Sequence, residues 1–180
     1  MVLICHFRII SKSDIYLPLA RKGFLLDVHD KETRSKNMRA IKSRDTKPEL
    51  LVRRLLHQNG YRFRVFPSYL PGKPDIWMAK WNTAIFVNGC FWHKHDCEMF
   101  KLPAIRTDFW LKKLEGNSKR DRAKIKELTS SGVRVLIIWE CSLSGRAKLT
   151  PEILLSLVKT FLLTDNTNAE ISGKGLIFTS

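Results

Sequence analysis

Nowhere does this 180-residue chain approach the roughly 18 consecutive apolar residues that a membrane-spanning helix needs. Acidic side chains are scarce, 17 Asp+Glu against 32 Lys+Arg, leaving a formal charge of +15. Nine glycines and seven prolines are too few for a collagen-like or low-complexity chain. Four cysteines are too few for a disulfide-dense secreted scaffold of this size. The first 26 residues have short apolar runs broken by Arg8, Lys12, Asp14 and Arg21, without the basic segment, uninterrupted apolar stretch and small-residue cleavage site of a secretory signal. What remains is a protein 44% hydrophobic, with a mean hydropathy of −0.19, long enough for one domain with its own core. Its excess of cations points to a polyanion, and nucleic acid is the commonest. Residues 1–26 carry four basic and one acidic side chains, so the rest still holds +12. They read as a dispensable extension, with an extra docked strand as the alternative.

From Asp27 to about Asp45 the chain is polar and basic, as expected of an arm or short, lightly packed helix. Thr46-Lys47-Pro48-Glu49 combines a cap, a first-turn proline and a Glu three residues on, and opens a helix that Gly60 stops. Strands are expected over Tyr61 to Phe66, Asp75 to Ala79 and Thr83 to Val87, with Lys80-Trp81-Asn82 as a hairpin turn. A loop runs from Asn88 to Arg106. Helices follow at Thr107 to Leu114 and, past Gly116, at Ser118 to Leu128. The apolar run Val133 to Trp139 fits a strand covered on both faces. Thr150-Pro151-Glu152 starts a last helix to about Leu162, and Leu176 to Phe178 reads as an edge strand. The order αβββααβα describes an α/β protein with a mixed sheet flanked by helices.

Three groups of residues carry chemistry. Cys90, His95 and Cys97 crowd one loop, and Cys141 follows the buried strand; a Cys3His set with no open position suits a structural Zn2+. Three buried thiols and a surface histidine are the alternative. Beside them His93 is a candidate base. Pro74-Asp75 opens a strand in a Pro/Gly-rich turn, where a carboxylate suits a hard cation such as Mg2+. The acidic-x-Lys triplet that often follows on the next strand of nuclease sheets is missing. Glu49 is the nearby acid, read equally well as a capping-box carboxylate. Finally, Phe91, Trp92, Phe109 and Trp110 lie in or beside the basic loop. Stacking on bases is one reading and core packing the other, with core favoured for Phe109.

The blocks 27–30, 33–41, 70–75, 89–93 and 135–141, Asp-Val-His-Asp through Leu-Pro-Gly-Lys-Pro-Asp to Val-Leu-Ile-Ile-Trp-Glu-Cys, resemble the very short patch repair (Vsr) endonucleases of bacteria. The resemblance runs from Asp27 to Ser180 as a single endonuclease domain, with 27–45 as a DNA-gripping arm. It implies a restriction-endonuclease-like fold with a structural zinc added. It implies Mg2+-dependent nicking of double-stranded DNA 5′ of the T in T:G mismatches left by 5-methylcytosine deamination. Carried over by position, Asp75 is the Mg2+ carboxylate, the Val87 carbonyl a second metal contact, His93 the base and Glu49 an active-site acid. Phe91, Trp92 and Trp110 become an intercalating wedge, exposed without DNA, and Met38 lies in the arm that grips the other groove. A monomer on the bacterial nucleoid, with partners of the MutL type, completes the expectation. This chain departs from the family pattern at Val87, commonly Thr, and Asn88, commonly His. A catalytically dead zinc-stapled DNA-binding module and a nuclease for other nucleic-acid structures are the rival readings.

Overall fold

The computed structural model describes residues 31–40, 42 and 44–179; the 1–26 extension, Cys5 and the 27–30 block lie outside these, as does the side chain of Met38. The chain runs α1 (Lys31–Ala40), α2 (Lys47–Gln58), β1 (Ile76–Met78), β2 (Thr83–Asn88), α3 (Thr107–Ser130), β3 (Arg134–Trp139), α4 (Pro151–Leu163), β4 (Asn168–Ser172) and β5 (Gly175–Thr179). The strands form one mixed sheet in the order β1-β2-β3-β4-β5, with β2, β3 and β4 parallel and the two outer strands antiparallel to their neighbours. This is the expected α/β architecture. Among the described residues no helix is long and apolar enough to cross a membrane.

Alternation along β3 explains the layers. Leu136 and Ile138 face a core shared with Val52 and Leu56 of α2 and Val158 and Phe161 of α4. Val135, Ile137 and Trp139 face the opposite core, where Leu128 of α3 and the thiols of Cys90 and Cys141 pack. Period-two side chains thus bury both faces of a strand whose residues from Val135 onward are all buried. Arg134, at the base of β3, donates to the carbonyls of Phe161, Leu162, Thr164 and Asn166 and so satisfies the carboxyl end of α4.

Two expectations are corrected, one strand is added and one turn is refined. Tyr61 to Phe66 makes a single antiparallel bridge, Arg64 to Trp77, instead of a strand, because Phe66 turns into the left-handed region (φ 47°) before Pro67. The Lys80-Trp81-Asn82 hairpin turn joins antiparallel β1 and β2 as expected, in the form of one turn of 3-10 helix, Ala79–Trp81, ended by left-handed Asn82. The strand Asn168–Ser172 was not foreseen: its composition is polar, and only Ala169, Ile171 and Ser172 are buried. The two expected helices after the loop are one helix of 24 residues, uninterrupted at Gly116. Tertiary bonds override the glycine there: the Asn117 amide donates to the Trp92 carbonyl at 2.9 Å and the Ser118 hydroxyl to the His93 carbonyl at 3.2 Å.

A continuous helix sets an outcome for Gly116→Ala. An added Cβ would meet only the Arg120 guanidinium at 3.4 Å. The substitution should therefore raise stability by about 0.5–1 kcal/mol in urea unfolding. A loss of stability would mean that the helix breaks at this position.

Candidate active site and metal centre

The parallel strands β2 and β3 end side by side, with Asn88 opposite Trp139, and antiparallel β1 begins at that same edge. Asp75 precedes β1 there. Its Oδ2 accepts the Val87 N–H at 2.7 Å. The pairing Ile76 to Ile85, continued by two residues, sets Pro74 opposite Val87. In an antiparallel ladder a residue's N–H and C=O leave on the same edge. Proline has no N–H to give. The Asp75 side chain therefore takes over the Val87 N–H, while the Val87 carbonyl is left without a ladder donor on the same side. Pro-Asp before a short strand is thus a device that gathers a carboxylate and a carbonyl at one sheet edge.

A cleft of about 1000 Å³ opens over this edge, lined among others by Glu49, Asp75, Asn88, His93 and Asp121. Burial pushes the Asp75 carboxyl up to about 6, and the charge of Glu49 adds to the rise; the Val87 N–H, Arg53 and His93 act against it. Glu49 fulfils both readings left open by the sequence. Its Oε1 accepts the Thr46 hydroxyl at 2.8 Å and its Oε2 the Asp45 N–H at 2.9 Å, closing the start of α2. Yet it is buried (4% exposed) against the cleft. Arg53, one turn on, makes this tolerable, bonding Glu49 at 2.9 Å and Asp45 at 2.6 Å with its guanidinium over the Phe66 ring. The buried stripe of α2 is therefore Glu49, Val52, Arg53 and Leu56, and Leu51 is exposed.

His93 is held by α3. Its Nδ1 lies 2.6 Å from Asp121 Oδ2, and the bonds from Asn117 and Ser118 fix the backbone on either side. With Nδ1–H donated to the carboxylate, Nε2 keeps its lone pair. Asp121 was missed by sequence reasoning. It sits 28 residues away in a strongly charged helix, and no local pattern marks it. Glu140 was also missed; it lines the cleft after β3 and accepts the Cys90 N–H at 3.3 Å. Asn88 faces the same cleft.

On the other side of the loop, the ligand atoms of Cys90, His95, Cys97 and Cys141 all lie within 4.8 Å of one another. His95 Nδ1 is 3.5 Å from the Cys90 sulfur and 3.6 Å from that of Cys141. Tetrahedral bonds with metal–sulfur and metal–nitrogen lengths of about 2.3 and 2.1 Å would put S and N about 3.6 Å apart. The set fits a closed tetrahedral metal ion. Burial holds the Cys90 and Cys141 thiols above the usual thiol range and His95 below the usual imidazole range. A cation among them reverses the thiol penalty. His95 is oriented by stacking on Trp139, ring centroids 4.1 Å apart, and the Trp139 indole donates to Glu170 at 2.8 Å.

The aromatic residues form one mutually packed group. Phe91 meets Trp92 and Trp110 edge-on at 5.1 and 5.3 Å, and the Lys113 ammonium lies over both tryptophans. Phe91, Trp92 and Trp110 are half-buried, not largely exposed as expected, because each covers the others. Phe109, expected in the core, is 46% exposed and carries Arg106 over its ring at 4.4 Å. Met38 lies in α1.

The raised Asp75 value has a consequence for stability. The folded-state value of about 6 lies above the ordinary 3.8, so folding disfavours the ionised form; the contribution of the protonated acid is complete below about pH 4 and lost as pH rises through 6. Asp75→Asn, neutral and of the same shape, should stabilise metal-free protein at pH 7.5 by about 1–3 kcal/mol. The gain should vanish near pH 4. Urea unfolding at the two pH values checks this, and no gain at pH 7.5 contradicts it.

Comparison with known proteins gives the same direction. The family model described as DNA mismatch endonuclease Vsr matches residues 26–99. The chain is 48% identical over 152 residues to the DNA mismatch endonuclease Vsr of Escherichia coli, covering 84% of this chain and 97% of that protein. It is 45% identical over 113 residues (63% and 83%) to the type II nicking enzyme V.XorIIP of Xanthomonas oryzae, and 41% over 123 residues (68% and 88%) to V.NmeAIP of Neisseria meningitidis. With a carboxylate, a histidine–aspartate pair and a Cys3His cluster gathered at one end of a mixed sheet, the chain belongs to the Vsr family of DNA mismatch endonucleases.

Proposed function

We propose that the endonuclease activity of this chain is strand-specific: it nicks duplex DNA 5′ of the T in T:G mismatches arising from 5-methylcytosine deamination. The observation that carries the reading is the His93–Asp121 pair facing the same cleft as Asp75. Hydrolysis of a phosphodiester needs a proton acceptor for the attacking water. His93 Nε2 fills this role, while Asp121 fixes the ring and stabilises the imidazolium that forms. Asp75 and the Val87 carbonyl would hold Mg2+, which when bound supplies a more acidic water and charge neutralisation at the phosphate. Glu49, tied to Arg53, keeps negative charge behind Asp75 and so favours a cation there. The base supplied by His93 also accounts for the missing acidic-x-Lys triplet.

Residues 27–180 act as one endonuclease unit in this reading, with 27–45 as the arm that grips DNA around Met38. Phe91, Trp92 and Trp110 are the wedge. Their packing against one another gives a preformed apolar block with Lys113 above it, so insertion at a wobble pair exchanges ring–ring contacts for base stacking. Unstacking a T:G pair costs less than unstacking a matched one, which turns the wedge into a discriminator. Work as a monomer on the nucleoid, with partners of the MutL type, rests on the family resemblance alone.

The test is nicking of end-labelled T:G and C:G duplexes with Mg2+ and with EDTA. Cleavage should appear on the T strand of the T:G duplex alone and disappear with EDTA. His93→Ala should slow it by about 10²-fold or more. Near-normal rates in His93→Ala would remove the base from the reading, and equal cleavage of both duplexes would remove the mismatch.

For the Cys3His cluster the reading is structural Zn2+, the ion suited to three thiolates and an imidazole with no open position. Purified protein should contain about one zinc per chain, and Cys97→Ala should lower both zinc content and folding yield. Less than a third of an equivalent, with the protein folded, would count against zinc.

A further inference from the structure

Phosphodiester hydrolysis places extra negative charge on the non-bridging phosphate oxygens, and a positioned cation at that point is a large contributor to rate. Nuclease sheets with an acidic-x-Lys triplet take this cation from the strand. Here β2 ends Val87-Asn88, and the residue in the lysine's place is Gly89, which has no side chain. The space where its Cβ would stand is already approached by Trp92 and Glu140, at 3.5 and 3.6 Å. Any protein cation at the phosphate must come from another element.

Helix α3 offers one. Lys124 lies one turn beyond Asp121 and lines the cleft with Asp75 and His93. Its ammonium is 3.8 Å from Asp121 Oδ1, an electrostatic contact longer than a hydrogen bond, while Oδ2 of the same carboxylate holds His93. The methylenes of Lys124 are pinned: a Cβ on Gly72 would stand 3.1–3.3 Å from three of its carbons. Gly72 has φ +74°, a conformation glycine adopts without strain, and in the Leu70–Pro74 turn it lets the backbone press onto the lysine stem. That contact restrains the stem, and the Asp121 carboxylate draws the ammonium at its end. By contrast Lys42, Lys47 and Lys73 on the cleft rim are exposed, and Arg44 lies over the Phe66 ring.

We propose that Lys124 is the protein cation that contacts the scissile phosphate and offsets the charge gathering on its non-bridging oxygens. This rests on the reading of the cleft as the nicking centre. Lys124 then takes the charge-neutralising task of the absent strand lysine, while His93 takes its proton-accepting one. Gly72 matters because it positions that lysine, and Asp121 serves two neighbours, orienting the base and anchoring the cation.

The experiment measures single-turnover nicking of a T:G duplex under excess protein for wild type, K124Q, K124R, K126Q and D75N. Duplex affinity is measured separately without divalent ions. K126Q removes the same charge from an exposed position on the helix. Loss of one such donor should cost K124Q about 10²-fold in rate with affinity changed less than about three-fold, and K124R should recover much of the loss. K126Q should nick at close to the wild-type rate. If K124Q nicks like wild type while D75N is inactive, Lys124 is a spectator and the cleft reading survives. If D75N nicks like wild type, the cleft is not the nicking centre and the proposal falls with it. A K124Q defect confined to affinity would assign the lysine to the DNA backbone away from the cut and overturn the proposal. Melting temperatures separate these outcomes from unfolding, and K124R, which keeps charge and stem, decides the matter if K124Q does not fold.

Discussion

The segment from Gly89 to Cys97 has no regular secondary structure, yet it carries the cleft histidine His93, two aromatic rings and three members of the Cys3His cluster. Everything functional depends on its being held from both sides. On one side Cys90 and Cys141 are buried in the core over β3, and His95 stacks on Trp139. On the other, one stretch of α3 supplies Asn117, Ser118 and Asp121 to consecutive parts of the loop. A Cys3His cluster whose geometry suits a closed metal ion and a helix face thus take the place of the hydrogen-bond ladder that the loop lacks. The same restraint explains why α3 runs straight through Gly116: a break there would rotate Asp121 away from His93.

The second organising feature is the placement of acids in a strongly cationic chain. Asp75, Glu49, Asp121 and Glu140 converge on one cleft. Each has a restraint: a strand N–H for Asp75, Arg53 for Glu49, the imidazole for Asp121 and the Cys90 N–H for Glu140. A cationic rim favours the approach of a polyanion, while an acidic floor repels phosphate unless a cation lies between them.

Much of this was legible in the sequence because the signals were local. Thr46-Lys47-Pro48-Glu49 and Thr150-Pro151-Glu152 cap helices as their spacing requires, and both caps are formed. Val133 to Trp139 could only be a doubly covered strand. The Cys/His spacing around residue 95 marked a metal cluster, which the side chains bring together. What escaped was non-local. Asp121, Arg53 and Lys124 sit in charged helical stretches where any cation or acid is ordinarily a solvated surface group. Only the fold shows which of them turn inward. The polar strand Asn168–Ser172 is set by pairing with β3 and β5 and not by its own propensity. The exposure of Phe109 and of Phe91, Trp92 and Trp110 was misjudged for one reason: exposure in an aromatic cluster depends on which ring covers which.

Position 87 shows how chemistry and heredity can part company. The part of Val87 that meets Asp75 belongs to the main chain, and its side chain is packed in the core against α2 and α4. The side chain at 87 is therefore constrained by volume and branching, while the contact to the Asp75 carboxylate comes through the main chain and the proline two residues before β1. Threonine, close to valine in size and shape, would leave the same main-chain contact in place. Comparing side chains alone would score the site as altered, whereas a synthetic ester in place of the residue 86–87 amide would touch the chemistry directly and leave the side chain as it is.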